Sequence, residues 1–207
     1  TPAAAALAAG VAPRFAFAGE PVSARKIRLG VVGERFGAAF HFHEHPNCTV
    51  VAVSDLRADR RAALQKVYRC RTAHDSLDAL LRDRNVEAVF LATPAPDHVR
   101  HVVAALRAGK HVLCAVPAAM SLDECRTLID TVKATGLTYM MAETSHWQQP
   151  TISARKFFQE GKFGRLYFTE SMYHHAGLEA LWFEDGQPTW RHGLPPMHYP
   201  TQDRKST

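Results

Sequence analysis

From Lys26 onward the chain alternates short apolar runs with helix-length amphipathic stretches. That alternation is the sequence form of βαβ units and a parallel sheet. It predicts strands at 27–32, 49–54, 86–92, 111–116 and 137–142, with helices at 36–44, 58–67, 76–82, 97–108 and 122–134. Each helical stretch can place Ala, Leu or Val at i, i+3 and i+4. Ser121, with Glu124 three residues later, reads as a capping box opening the last of these helices, and Gly109 and Gly136 fall where two helices should end. The runs are Val-rich without polar alternation, so the strands should be buried on both faces and covered by helices on both sides. The expected fold class is α/β, a Rossmann-type doubly wound parallel sheet.

After Met141 the character changes. A helix at about 151–160 ends at Gly161, and residues 166–173 alternate as a strand does. Beyond Gly177, Trp, Pro, His and Gly crowd together without a period. One helix and one strand do not close a core, so this region reads as the start of an incomplete α+β substrate domain. The expected organisation is an N-terminal segment at 1–25, a dinucleotide-binding domain at 26–145, and a partial substrate or oligomerisation domain at 146–207.

Composition narrows the classes. With 207 residues, 46% hydrophobic and 22% charged, the chain is globular rather than disordered. Its net charge of +5 comes from scattered Lys and Arg, with no basic run interleaved with aromatics, which argues against a nucleic-acid partner. After residue 19 no apolar run is long enough to predict a membrane span. The first 19 residues combine Ala monotony with a small-residue triplet at 16–18 and read as the later part of an export signal, which places the protein in the periplasm or outside the cell. The alternative is an Ala-rich flexible tail on a cytoplasmic protein. Cys48, Cys70, Cys114 and Cys125 form no C-x-x-C pair; Cys48 and Cys114 sit in apolar runs and read as small buried hydrophobes.

The candidate chemistry starts at the end of the first strand. Gly33 stands where a dinucleotide fingerprint makes its tight turn, so that the pyrophosphate rests on a helix N-terminus. Asp55, twenty-two residues later, ends the second strand where an acidic residue meets the adenosine ribose. The fingerprint is imperfect. Arg35 and Ala38 stand at its second and third glycine positions, with Gly37 displaced by one. Arg35 either blocks close approach of the pyrophosphate or pairs with it, and Phe36 follows at the same turn. Asp55 favours NAD by repelling a 2′-phosphate, whereas Arg57 and Arg60 are placed to hold that phosphate in NADP. Thr93, Pro94 and His98 lie at the C-terminal end of a strand, where ligands sit in open α/β sheets. They complete the expected cofactor site of Gly33, Arg35, Phe36, Asp55, Arg57, Thr93, Pro94 and His98.

Other clusters were weighed against these. On a helix His41 and His45 would share a face, but only Glu44 stands by to complete a ligand set, and no metal is expected. His174 and His175 should point to opposite faces of a strand. Glu179, Glu184 and Asp185, near Trp182 and Trp190, offer carboxylates whose separation the sequence leaves undefined.

The chain resembles the glucose-fructose oxidoreductase, inositol dehydrogenase and rhizopine-catabolism (Gfo/Idh/MocA) family over roughly residues 26–173. The segments that carry the resemblance are IRLGVVG, His41, AVSD, AVFLATPAPDHVRHVVAALRAGKHVLCAVP and FFQEGKFGRLYFTESMYHH. It implies a Rossmann domain followed by a mainly antiparallel α+β domain, a homo-oligomer for the full-length protein, and hydride transfer between a nicotinamide cofactor and a sugar, polyol or sugar derivative. It also implies that His146 and Trp147 approach substrate. Two positions depart from the family pattern. Its Glu-Lys-Pro is Ala115-Val116-Pro117 here, and its acid/base His aligns with Gln202. Val holds no proton, and Gln exchanges none near neutral pH. That leaves His198 as the catalytic candidate. It also admits two alternatives: a glycoside-cleaving enzyme with tightly held NAD, and a non-catalytic dinucleotide or sugar binder.

Overall fold

Residues 25–170 and 179–192 are described by the computed structural model. Six strands form one parallel sheet: β1 (Ile27–Val32), β2 (Cys48–Ser54), β3 (Ala73–His74), β4 (Ala88–Leu91), β5 (His111–Ala115) and β6 (Tyr139–Ala142). Their order is β3-β2-β1-β4-β5-β6. The order reverses between β1 and β4, where a doubly wound sheet opens its ligand crevice. The intervening helices are α1 (Glu34–Gly37), α2 (Ala58–Tyr68), α3 (Leu77–Leu81), α4 (His98–Arg107) and α5 (Leu122–Thr135). Beyond the sheet come α6 (Gln149–Gln159), α7 (Glu179–Trp182) and a hairpin of β7 (Phe183–Glu184) with β8 (Gln187–Pro188).

Successive strand residues feed two cores, as burial on both faces requires. Val89 and Leu91 join Leu80, Val102, Ala105, Leu106 and Leu128 under α3, α4 and α5. Phe90, between them in β4, joins Leu29, Val31, Val53, Leu64 and Tyr68 on the α2 side. In α4 the buried positions His98, Val102, Ala105 and Leu106 follow the helical repeat. The capping box forms with a shifted partner. Ser121 Oγ accepts from the Glu124 N–H at 3.2 Å, while the Glu124 carboxylate reaches one residue further back, to the Met120 N–H at 2.6 Å. Gly109 and Gly136 follow α4 and α5 with φ of 78° and 64°, the left-handed region expected at helix ends. Lys110 is buried and its Nζ donates to the Asp83 and Val86 carbonyls at 2.8 and 2.6 Å, tying the loop before β4 to the sheet. All four cysteines are free, Cys70 and Cys114 buried and Cys48 and Cys125 partly so.

The expected helix at 36–44 is a correction. The chain makes the single turn α1, then two 3₁₀ turns, Ala38–Phe40 and Phe42–Glu44, with His41 left-handed between them (φ 48°). In a regular helix residues 40 and 42 would point roughly 200° apart. Instead Phe40 and Phe42 both pack on Phe90, with ring centroids 4.4 and 5.1 Å away. The break at His41 is what allows two rings two residues apart to reach the same partner, and such aromatic pairs contribute about 0.5–1.5 kcal/mol beyond their burial. Residues 166–170 of the expected strand at 166–173 carry no regular structure. The rest of that strand, His174, His175, the N-terminal segment expected as an export signal, His198 and Gln202 lie outside the described residues.

Candidate dinucleotide-binding site

A cleft of about 1150 Å³ lies along the C-terminal ends of β1, β2, β4 and β5. Its wall runs from Asp55, Arg57 and Arg60 past Gly33, Arg35 and Phe36 to Thr93 and Pro94, and on to Ala115, Val116 and Pro117. Gly33 makes the turn out of β1 with φ 91°, and its N–H donates to the Ser54 carbonyl at 2.9 Å. A Cβ here would stand 2.4 Å from the Ala92 carbonyl oxygen, so only glycine lets β1 and β4 approach so closely. Gly37 takes up the packing role of the displaced third glycine. It is buried, a Cβ on it would lie 3.1 Å from Val31 Cγ1, and its carbonyl accepts from the Tyr68 hydroxyl. Burial pushes the Tyr68 pKa up to about 12.

Asp55 organises the adenosine end. Its Oδ2 accepts from the Glu34 N–H at 2.9 Å and its Oδ1 from the Arg57 N–H at 3.0 Å, joining the turn after β1 to the start of α2. A carboxylate has about four acceptor sites, so capacity for ribose hydroxyls remains. Arg35 turns away from the phosphate turn. Its guanidinium lies 3.0 Å from Glu184 Oε1 in the β7–β8 hairpin, the same oxygen that accepts from Arg60 and stands 3.8 Å from Arg57. The Arg60 guanidinium, with Arg35 and Arg57 behind it, holds the Glu184 carboxyl below the usual carboxylate range. Glu184 was one of three carboxylates of undefined separation. The hairpin signal was Asp185-Gly186, whose left-handed φ values of 51° and 74° suit a two-residue turn.

The middle of the cleft is set by two histidines. His98 is 1% exposed and does not line the cleft. Its Nδ1 meets the Pro117 carbonyl at 2.7 Å and its Nε2 the Thr93 carbonyl at 2.8 Å, so it ties the loops after β4 and β5 together from beneath. His101, which sequence reasoning passed over, does line the cleft and its Nδ1 sits 2.9 Å from Thr93 Oγ1. Burial, then the neighbouring Arg100, lowers its pKa and disfavours the charged ring. His101 lies one helical turn after His98 at a strand-to-helix junction, the signal that was available for it.

At the far end Val116 presents an apolar side chain where the resemblance expects Lys. Thr144, Ser145 and Gln148 line the cleft, but His146 and Trp147 do not. Trp147 is 55% exposed, and the His146 ring packs edge-on against it at 4.8 Å. Away from the cleft, the break at His41 brings ligand atoms of His41, His43 and Glu44 within 4.8 Å of one another. His45 is not part of that group; its Nδ1 accepts from the Asn47 N–H at 3.2 Å.

The strand order, the glycine turn, the acidic end of β2 and the crevice at the switch point together define a dinucleotide-binding Rossmann domain. The family described as an oxidoreductase family with an NAD-binding Rossmann fold, Gfo/Idh/MocA, matches residues 27–143, and the chain belongs to it. It is 30% identical over 168 residues to a glycosyl hydrolase family 109 protein of Bacteroides fragilis, covering 75% of this chain and 36% of that protein. It is 32% identical over 143 residues to the 2,7-anhydro-N-acetylneuraminate hydratase of Escherichia coli, covering 68% of this chain and 38% of that protein. The structure of scyllo-inositol dehydrogenase from Lactobacillus casei, with NAD(H) and scyllo-inositol bound, aligns with a TM-score of 0.68 at 19% identity, over 76% of this chain and 48% of that one, a likeness of fold. The chain spans less than half the length of each of these proteins. Among the described residues, no helix is long and apolar enough to cross a membrane.

Proposed function

We propose that the chain is the nucleotide-binding part of an NAD-dependent oxidoreductase acting on a sugar, polyol or sugar derivative. The carrying observation is the single cleft that runs from Asp55 past the bare backbone at Gly33 to Val116 and Pro117. The residues fit a dinucleotide. A Cβ at Gly33 would meet the Ala92 carbonyl and push apart the strand ends that border the cleft, and Asp55 retains acceptor capacity that favours an unphosphorylated ribose. When bound, NAD supplies a two-electron acceptor for hydride. Thr93 and Pro94 border the centre of the cleft, held by His98 beneath them. Val116 gives the reacting end an apolar wall that excludes water and moves no proton, so the acid/base group has to come from elsewhere. His198, outside the described residues, is the candidate. General acid/base help contributes about a hundredfold to ten-thousandfold, so hydride transfer without it should be slow. The test is titration of the purified chain with NADH, followed by its fluorescence, with NAD+ as competitor. Saturable binding reversed by NAD+ supports the proposal, and no saturation sinks it.

Similarity to a protein named as a glycosyl hydrolase family 109 member favours a second reading, in which tightly held NAD serves transient oxidation, elimination and re-reduction in glycoside cleavage. Release of the aryl group from an aryl glycoside without net NADH would separate it from a dehydrogenase.

A further inference from the structure

The β7–β8 hairpin carries a carboxylate to the adenosine end of the cleft from 124 residues beyond Arg60. We propose that Glu184 is a specificity-determining residue: by occupying the Arg35–Arg57–Arg60 cluster it makes the site refuse a 2′-phosphorylated dinucleotide. The inference rests on the dinucleotide reading of the cleft given above.

In a Rossmann site the 2′ position lies beside the acidic residue ending the second strand, and a nearby Arg accommodates a 2′-phosphate. Arg57 and Arg60 follow Asp55 by two and five residues, in that neighbourhood. Both are already paired. Arg57 makes a fork on Asp59, with Nε to Oδ1 at 3.1 Å and Nη2 to Oδ2 at 2.8 Å. Arg61 is spent on the Asp55 and Leu56 carbonyls at 2.8 and 3.0 Å. The remaining donors, on Arg35 and Arg60, both converge on Glu184 Oε1. Asp185 Oδ2 adds a second hairpin carboxylate 3.9 Å from Arg57.

Arg35 and Arg60 thus share the Glu184 carboxylate, Arg57 pairs with Asp59, and Arg61 is taken up by main-chain carbonyls. A phosphate monoester bringing about −1.5 to −2 charges must displace a carboxylate already paired with Arg35 and Arg60. An unphosphorylated ribose makes no such demand, because its hydroxyl can donate to Asp55. Removing the Glu184 charge takes one negative charge from the cluster and frees the planar donor forks of Arg35 and Arg60, the groups suited to bidentate phosphate recognition.

The experiment measures NAD+ and NADP+ dissociation constants by calorimetry on the full chain, on Glu184→Gln, on Glu184→Gln with Arg60→Ala, and on Asp185→Asn. Circular dichroism verifies the fold of each variant. Glu184→Gln is expected to shift the ratio of the two constants toward NADP+ by about tenfold or more, which corresponds to about 1.4 kcal/mol. Adding Arg60→Ala should reverse most of that shift, and Asp185→Asn should move the ratio by less than about threefold, since among the described residues its carboxylate pairs with Arg57 alone. An unmoved ratio in Glu184→Gln, a shift that survives loss of Arg60, or an equal shift in Asp185→Asn overturns the inference. If the native chain binds neither dinucleotide, the cofactor reading itself fails and the inference falls with it. Binding of NAD+ with an unmoved ratio overturns only the role of Glu184.

Discussion

Replacing Gly33 by Ala adds one methyl group at the point where β1 turns over β4, and its cost can be worked from two separate terms. The first is conformational: at φ 91° a side chain enters a region that L-residues avoid, at about 1–2 kcal/mol. The second is steric: the new Cβ would stand 2.4 Å from the Ala92 carbonyl oxygen and 2.8 Å from its carbon, atoms just past β4 that are fixed by the Ala92 N–H bond to the Val32 carbonyl at 2.8 Å. Backbone has to move, so the steric term should add about 1–3 kcal/mol, the range for overpacking. Gly109→Ala supplies the comparison. Its φ of 78° incurs the first term, but a Cβ there meets nothing within 4 Å. At about 2–4 °C per kcal/mol for a chain of this size, Gly33→Ala should lower the melting temperature by roughly 4–20 °C, against roughly 2–8 °C for Gly109→Ala. Thermal unfolding followed by circular dichroism measures both, and NADH titration reads the cleft. Gly33→Ala should also weaken binding, because the strand ends it pushes apart border the crevice. Equal melting temperatures for the two variants would refute the steric argument.

Two other perturbations follow from polar groups held partly or wholly away from water. The His101 pKa is lowered from its ordinary value of 6.5, so the unfolded chain binds that proton more readily than the folded one. Its contribution to stability is therefore present above about pH 6.5 and lost as pH falls toward and through the lowered value. Melting temperatures at pH 7.5 and 5.5 should differ more in the native chain than in His101→Gln, and an equal difference would count against the burial of the ring. Lys110→Met leaves the Asp83 and Val86 carbonyls without their shared donor, and the loss should be about 2–4 kcal/mol. Urea unfolding would show it, and a midpoint unchanged from the native chain would mean that those carbonyls do not depend on Lys110.

What could be read along the chain was local. Strands β1, β2, β4, β5 and β6 were legible because parallel strands buried on both faces are written as continuous apolar runs. Gly33 and Asp55 were legible because their spacing is that of one strand-turn-helix-strand unit. The two-residue strand β3 was too short to leave a pattern. The aromatic turn after α1 was misread as a helix because Phe90, some fifty residues later in the sequence, decides where Phe40 and Phe42 point. His98 was assigned to the cofactor from its place after Thr93 and Pro94. In the structure its ring turns inward to hold two loops that meet only when β4 and β5 pair.

The sequence by itself determined the sheet, its α/β class, the glycine turn and the acidic residue beside it, because each depends on neighbours a few residues apart or on a repeat inside one element. Only the tertiary structure decided which charges meet. In sequence Arg35 reads as a group beside the pyrophosphate, Arg57 and Arg60 as groups placed to hold a 2′-phosphate, and Glu184 as one carboxylate among several. An ion pair forms through distance in space, which falls steeply in strength with separation and with exposure to water. No spacing rule along the chain reports the closure of a hairpin at 183–188 onto the end of β2.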